Sequence, residues 1–136
     1  MASYSIVAIE GIGAVHAARL KAAGVTTTEK LLERGKDPKG RSELALATGI
    51  DERYILRWTN HADLMRIKGI AEEYSELLEA AGVDTVNELR HRHAAHLAKA
   101  LAAVNEKRKL VRAVPPESVV TGWIEQAKRL PPVMTY

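Results

Sequence analysis

Apolar residues recur along the chain at helical spacing, in blocks of about ten residues that are stopped by glycine or proline. Tyr4, Ile6 and Val7 alternate in the first eight residues, which fits an extended lead-in or a single helical turn. Ile9-Glu10-Gly11-Ile12-Gly13 then reads as a tight hairpin. A helix follows from about Ala14 to Ala23 on Val15, Ala18, Leu20 and Ala22, with His16, Arg19 and Lys21 off that stripe. Gly24 ends it, glycine being the residue that tolerates a left-handed backbone there. Thr26 and Glu29 have capping-box spacing and open a short helix carrying Leu31 and Leu32. That helix fades into a polar loop, Arg34 to Gly40. Ser42 to Thr48, closed by Gly49, and Asp51 to about Leu64 read as a second pair of helices. Tyr54, Ile55, Trp58, Ala62 and Met65 form one broad face of the latter.

A second hairpin, Ile67-Lys68-Gly69-Ile70-Ala71, leads into a helix from about Glu72 to Ala81 that stops at Gly82. Another starts near Asp84 or Thr85, with Thr85 three residues before Glu88, and runs toward Arg90. Leu97, Leu101 and Val104 mark a further helix, which Asn105 to Lys109 interrupts. The last spans about Pro116 to Leu130, with Pro116 acceptable in a first turn and Pro131-Pro132 as its stop.

The chain repeats itself. Fifty-eight residues separate Gly11 from Gly69, Leu20 from Leu78, Gly24 from Gly82, Thr27 from Thr85 and Leu31 from Leu89. Asp51 to Trp58 has the spacing of Pro116 to Trp123, and Ala62 matches Ala127, so the second copy carries about seven extra residues between 105 and 114. Two repeats, about 9–64 and 67–130, therefore form a single all-α domain over residues 1–136. They are expected to pack around one shared core with pseudo-two-fold symmetry. Because the first hairpin has almost nothing before it, the Trp123 helix is expected to dock beside it. Within one chain this makes a closed monomer; between chains it makes a dimer swapped through the C-terminal helix.

Composition agrees with helices. Hydrophobic residues make up 46% of 136, but Phe is absent and the bulk is Ala, Leu and Val. There is no cysteine, which removes disulfides and thiolate metal sites. No run is long enough to span a bilayer and the first residues lack a basic region followed by a long apolar run, so a soluble cytoplasmic protein without a membrane partner is expected. The net charge of +3 is unevenly spread: Arg66 to Leu89 carries a balance of −4, and Arg90 to Arg112 a balance of +6. A block like the second suits a polyanion, or a solvated face paired with its acidic neighbour.

Catalytic chemistry is not evident. The serines lie in no elbow motif and no glycine loop has Walker spacing, so no enzyme and no cofactor are expected. His91, His93 and His96 are two and five apart, which does not align three imidazoles on one helix face, and no metal is expected. Trp58 and Trp123, at matched places, read as core anchors.

Ile-x-Gly-Ile-Gly before a helix, followed by Ala22-Ala23-Gly24-Val25 and Leu31-Leu32, resembles the helix-hairpin-helix motif that recombinases, Holliday-junction proteins and ligases use to hold DNA backbones. With Arg57-Trp58, Ala62 to Ile67 and Trp123 to Lys128 included, nearly the whole chain more closely resembles a family of tandem helix-hairpin-helix proteins catalogued as a domain of unknown function. The resemblance implies an all-α fold and brings no established activity. In DNA-binding members the hairpin glycines let backbone N–H groups reach a phosphate. Carried to this chain, those positions are Gly11, Ile12 and Gly13, with Arg19 and Lys21 on the helix behind. The second hairpin departs: Ala71 replaces the second glycine, and Glu72, Glu73 and Glu76 crowd the helix start. Leu44-Ala45, Gly49-Ile50 and Ile55 also have helix-turn-helix spacing, with Asp51 to Trp58 as the recognition helix.

Two functions are carried forward. One is non-sequence-specific binding of a DNA or RNA backbone through the first hairpin, with Arg90, Arg92, Lys99, Lys107, Arg108, Lys109 and Arg112 as an auxiliary basic patch. The other is a protein-interaction or oligomerisation module that has lost the nucleic acid.

Overall fold

Helix starts and stops in the structure follow side-chain and glycine chemistry more than hydropathy. The computed structural model describes residues 3–136, which form a 3-10 turn, Ile6–Ala8, and eight α-helices. These are α1 (Ala14–Ala22), α2 (Thr28–Gly35), α3 (Pro38–Thr48), α4 (Glu52–Leu64), α5 (Glu72–Ala80), α6 (Val86–Arg90), α7 (Ala94–Arg108) and α8 (Glu117–Arg129). The lead-in combines both expected forms. Ser5 pairs antiparallel with Thr27, and the Ile6 N–H donates to the Thr26 carbonyl before the 3-10 turn begins. Met1 and Ala2 lie outside the described residues. Among the described residues no helix is long and apolar enough to cross a membrane.

Three element boundaries differ from expectation. Thr27, not Thr26, caps α2, its hydroxyl accepting from the Lys30 N–H at 3.2 Å. Thr85 does the same for α6, accepting from the Glu88 N–H at 3.1 Å. The polar stretch before Ser42 is not all loop: the Asp37 carboxylate accepts from the Gly40 N–H at 2.7 Å and Pro38 opens α3. Helix α7 continues through the charged run to Arg108, because the Asn105 side chain both accepts from and donates to the Val111 backbone and so closes the helix end.

The shared core is corrected. Buried apolar side chains fall into two clusters, one built from residues between Ile6 and Met65 and one from residues between Leu64 and Ala127. They adjoin at the end of α4, where His61, Asp63 and Arg66 are buried. His61 and Asp63 bond across to the second half from this layer, while the buried His61 Nδ1 and Arg66 Nε have no hydrogen-bond partner among the described residues. Asp63 takes the Val86 N–H at 2.8 Å and Arg66 at 2.9 Å; Glu79 on α5 takes His61 Nε2 at 2.9 Å.

The placement of the last helix is corrected as well. Trp123 and Val120 belong to the second cluster, where α8 packs on α6 and α7 of its own chain, while Trp58 fills the place beside the first hairpin. What returns to the first half is the segment beyond α8. Arg66 donates to the Pro131 carbonyl, Arg41 to the Thr135 carbonyl at 2.8 Å, and the Thr135 N–H to the Lys36 carbonyl at 2.8 Å. Val133 and Met134 pack against the first cluster.

Candidate interaction surface at the hairpins

Gly11 and Gly69 adopt φ of +94° and +99°, which L side chains rarely adopt. A Cβ at either position would also stand 3.3 or 3.1 Å from the indole nitrogen of Trp58 or Trp123. The buried tryptophans therefore define both corners. Ile12 turns into the first cluster, which leaves Gly11 and Gly13 at the surface. Gly13 caps α1 without a side-chain hydrogen bond, and no acidic residue lies in the first turn. The α1 N-terminus thus presents open N–H groups with a favourable dipole.

Arg19 and Lys21 lie on the helix behind it, as the sequence places them. Arg19 and Lys21 occupy the last turn of α1, about 9 and 12 Å along the axis from Gly13. Arg19 points to the α3–α4 turn, its guanidinium 3.9 Å from where a Cβ on Gly49 would stand. Lys21 lines a groove with Ser5, Ile6 and Thr26.

What lies beside the first hairpin is acidic. Burial raises the Glu72 carboxyl above its ordinary value, and a hydrogen bond with Glu10 together with the charges of Glu10, Glu73 and Glu76 adds to it. Arg57 is committed to Glu79 through bonds of 3.0 to 3.2 Å, and that pairing raises its pKa further. Burial pushes the Glu79 carboxyl up, but hydrogen bonds from His61 and Arg57 outweigh it and hold it at about 2.

The basic block does not pair with the acidic one. Arg90 donates to the Lys128 carbonyl and Arg92 to the Gly82 carbonyl, both at helix ends. Lys99, Lys107, Arg108, Lys109 and Arg112 are exposed, and among the described residues no salt bridge joins them to a carboxylate. His93 and His96 come together, with ring centroids 4.6 Å apart, because His93 precedes α7 rather than lying in it. Of the stretch with helix-turn-helix spacing, Asp51, Glu52, Arg53, Tyr54 and Arg57 are exposed, with Arg53 bonded to Asp51 and Arg57 to Glu79, and α4 is buried from Trp58 through Leu64.

Of the aromatic group at the first hairpin, Tyr54 and Trp58 were read as one helix face and His16 was missed. Trp58 is buried, with the His16 ring 5.0 Å and the Tyr54 ring 6.0 Å from its own. Tyr54 and Trp58 are four apart on one helix face, which was a readable signal. In the second half Tyr74 lies 5.3 Å from Trp123.

No curated protein and no solved structure matches the chain. The family described as a domain of unknown function (DUF4332) matches residues 10–130, nearly the whole length, and the chain belongs to that family.

Proposed function

We propose that this chain is a non-enzymatic module of two helix-hairpin-helix units whose corners serve protein recognition, phosphate binding having been lost. The matched glycine–tryptophan corners, Gly11 with Trp58 and Gly69 with Trp123, support the two-unit reading. The observation that carries the loss is the first turn of α5, where Glu72 and Glu73 follow Ala71 at the second hairpin. A phosphate at the α5 N-terminus would meet those carboxylates, and like charges about 4 Å apart repel by about 4 kcal/mol at an effective dielectric of about 20. Neither Arg19 nor Lys21 is placed to offset that.

The test is titration of a generic duplex and of a branched DNA across salt. No salt-sensitive binding is expected at low ionic strength; binding whose log K falls steeply with log salt would overturn the reading. The unpaired cations Lys99, Lys107, Arg108, Lys109 and Arg112 favour a second reading, polyanion contact along α7. Under it, charge reversal at Lys107, Arg108 and Lys109 would abolish binding, and Gly13→Glu would leave it intact.

A further inference from the structure

The segment beyond α8 is held as a bound peptide would be. From Pro131 to Tyr136 it forms no helix, and each of its residues is exposed or half-buried. The grip falls mainly on its backbone: Arg66 donates to the Pro131 carbonyl at 3.0 Å, Arg41 to the Thr135 carbonyl, and the Thr135 N–H to the Lys36 carbonyl. Val133 and Met134 lay apolar side chains on the first cluster, and the Tyr136 hydroxyl donates to Asn60 Oδ1 at 3.2 Å. Backbone bonds that give hold, with places for a few side chains that give choice, are the means by which grooves take extended peptides. The fit is incomplete. A surface cavity of about 220 Å³ remains beside Val133, walled by Leu32, Lys36, Arg66, Glu29 and Glu33. Arg66 is buried and bonded through both terminal nitrogens, yet its Nε has no partner among the described residues.

We propose that residues 131–136 are a detachable strap over a peptide groove, which takes in their place an extended segment of a partner protein with an apolar side chain longer than valine at the Val133 position. The length follows from the cavity that Val133 leaves. The apolar character follows from Leu32 in its wall and from a rim whose two acids and two bases offer no net charge to an incoming ion. The extended form follows from the strap itself, since the incoming backbone takes over the bonds from Arg41 and Arg66 and to Lys36. A short, exposed segment tied by few bonds opens more readily than a packed helix. Strap and partner exclude each other, so partner affinity is scaled by the fraction of chains whose strap is open. None of these residues belongs to the glycine–tryptophan corners, so failure here leaves the reading of the corners untouched.

The probes are two synthetic peptides, Leu130-Pro131-Pro132-Val133-Met134-Thr135-Tyr136 and the same peptide with Val133→Leu, titrated into the full chain carrying Thr135→Pro. That substitution removes the N–H bonded to Lys36 and loosens the strap without altering the groove. The amide resonances of Lys36 and Arg41 should shift saturably at millimolar peptide, the range of effective concentration that a short tether gives the strap. The Val133→Leu peptide should bind about fourfold tighter, from one more buried methylene. The Thr135→Pro chain should bind either peptide about fivefold tighter than the unaltered chain, from one hydrogen bond lost in the strap. A far-ultraviolet spectrum checks the fold of the variant; if it does not fold, the order of the two peptides on the unaltered chain decides alone. No shift at Lys36 and Arg41, equal affinity of the two peptides, or equal affinity of the two chains overturns the groove. A mass in solution that doubles with concentration, and does not in Thr135→Pro, would give the groove to the strap of a second copy and overturns a partner protein as its occupant.

Discussion

Asp63 divides its carboxylate between two halves of the molecule: one oxygen takes the Val86 N–H at 2.8 Å and the other takes Arg66 at 2.9 Å. Both side chains are almost fully enclosed, with 2% and 4% of their surfaces exposed. One residue of α4 thus caps the start of α6 and neutralises a buried cation. Since the apolar clusters are separate, this pair bears much of the fixed orientation between the halves.

Asp63→Ala is expected to cost about 3–5 kcal/mol, because it leaves the Arg66 guanidinium buried without its counter-charge. Denaturant midpoints measure this. Replacing both partners, Asp63→Leu with Arg66→Met, should cost less than Asp63→Ala alone, since no unpaired charge remains. A single variant within about 1 kcal/mol of the parent would contradict the assignment.

The acid limb of stability should depend on Glu79. Its folded pKa of about 2 lies below its ordinary value of 4.5, so the carboxylate form is favoured by folding. The contribution is therefore complete above about pH 4.5 and is lost as pH falls through about 2. Glu72 has the opposite sign: its raised pKa stabilises the protonated state and that benefit disappears as pH rises. Melting temperature against pH should fall less steeply for Glu79→Gln than for the parent on acidification. Glu10→Gln should raise the melt at neutral pH. A Glu79→Gln melt parallel to the parent below pH 4.5 would refute the first expectation.

Helix existence was legible because apolar spacing reports that a face is buried. It does not report what buries it, which is why Trp123 was assigned to the wrong hairpin. The lone register error among the caps, Thr26 for Thr27, arose from reading a local box; the 58-residue repeat already paired Thr27 with Thr85. Asp37-Pro38 lay hidden inside a charged stretch that looks like loop because α3 begins on the surface. The polar layer was least legible. His61, Asp63 and Arg66 have the composition of a solvated face, and only the tertiary placement of α5, α6 and the C-terminal segment encloses them. At the site, Gly11 to Gly13 was readable from the repeat, whereas the Glu10–Glu72 approach depends on how the halves dock.

The two hairpin glycines should separate a corner from a cradle. Gly11→Ala introduces a Cβ at φ +94° and 3.3 Å from the Trp58 nitrogen, and should cost about 1–3 kcal/mol. Gly13 has φ −86° and nothing within 4 Å of an added Cβ, so Gly13→Ala should be nearly neutral in stability. Paired thermal melts decide. Equal losses at both positions would remove the conformational account of the corner.

The segment beyond α8 joins the halves from the outside, and its removal should be felt in one of them only. Deleting residues 132–136 takes the Thr135 carbonyl from Arg41, the Thr135 N–H from Lys36, and Val133 and Met134 from the first cluster. Two hydrogen bonds at about 1 kcal/mol each, plus partly buried side chains, predict a loss of about 2–4 kcal/mol. Arg41 keeps its bond to the Gly35 carbonyl, so it loses only part of its pairing. Amide exchange should quicken where α2 ends and α3 begins, around Gly35 to Arg41, and stay slow in α7, which the segment does not touch. Exchange that quickens equally in α7 would show that the halves unfold as one unit. The polar layer, and not the terminal segment, would then set their coupling.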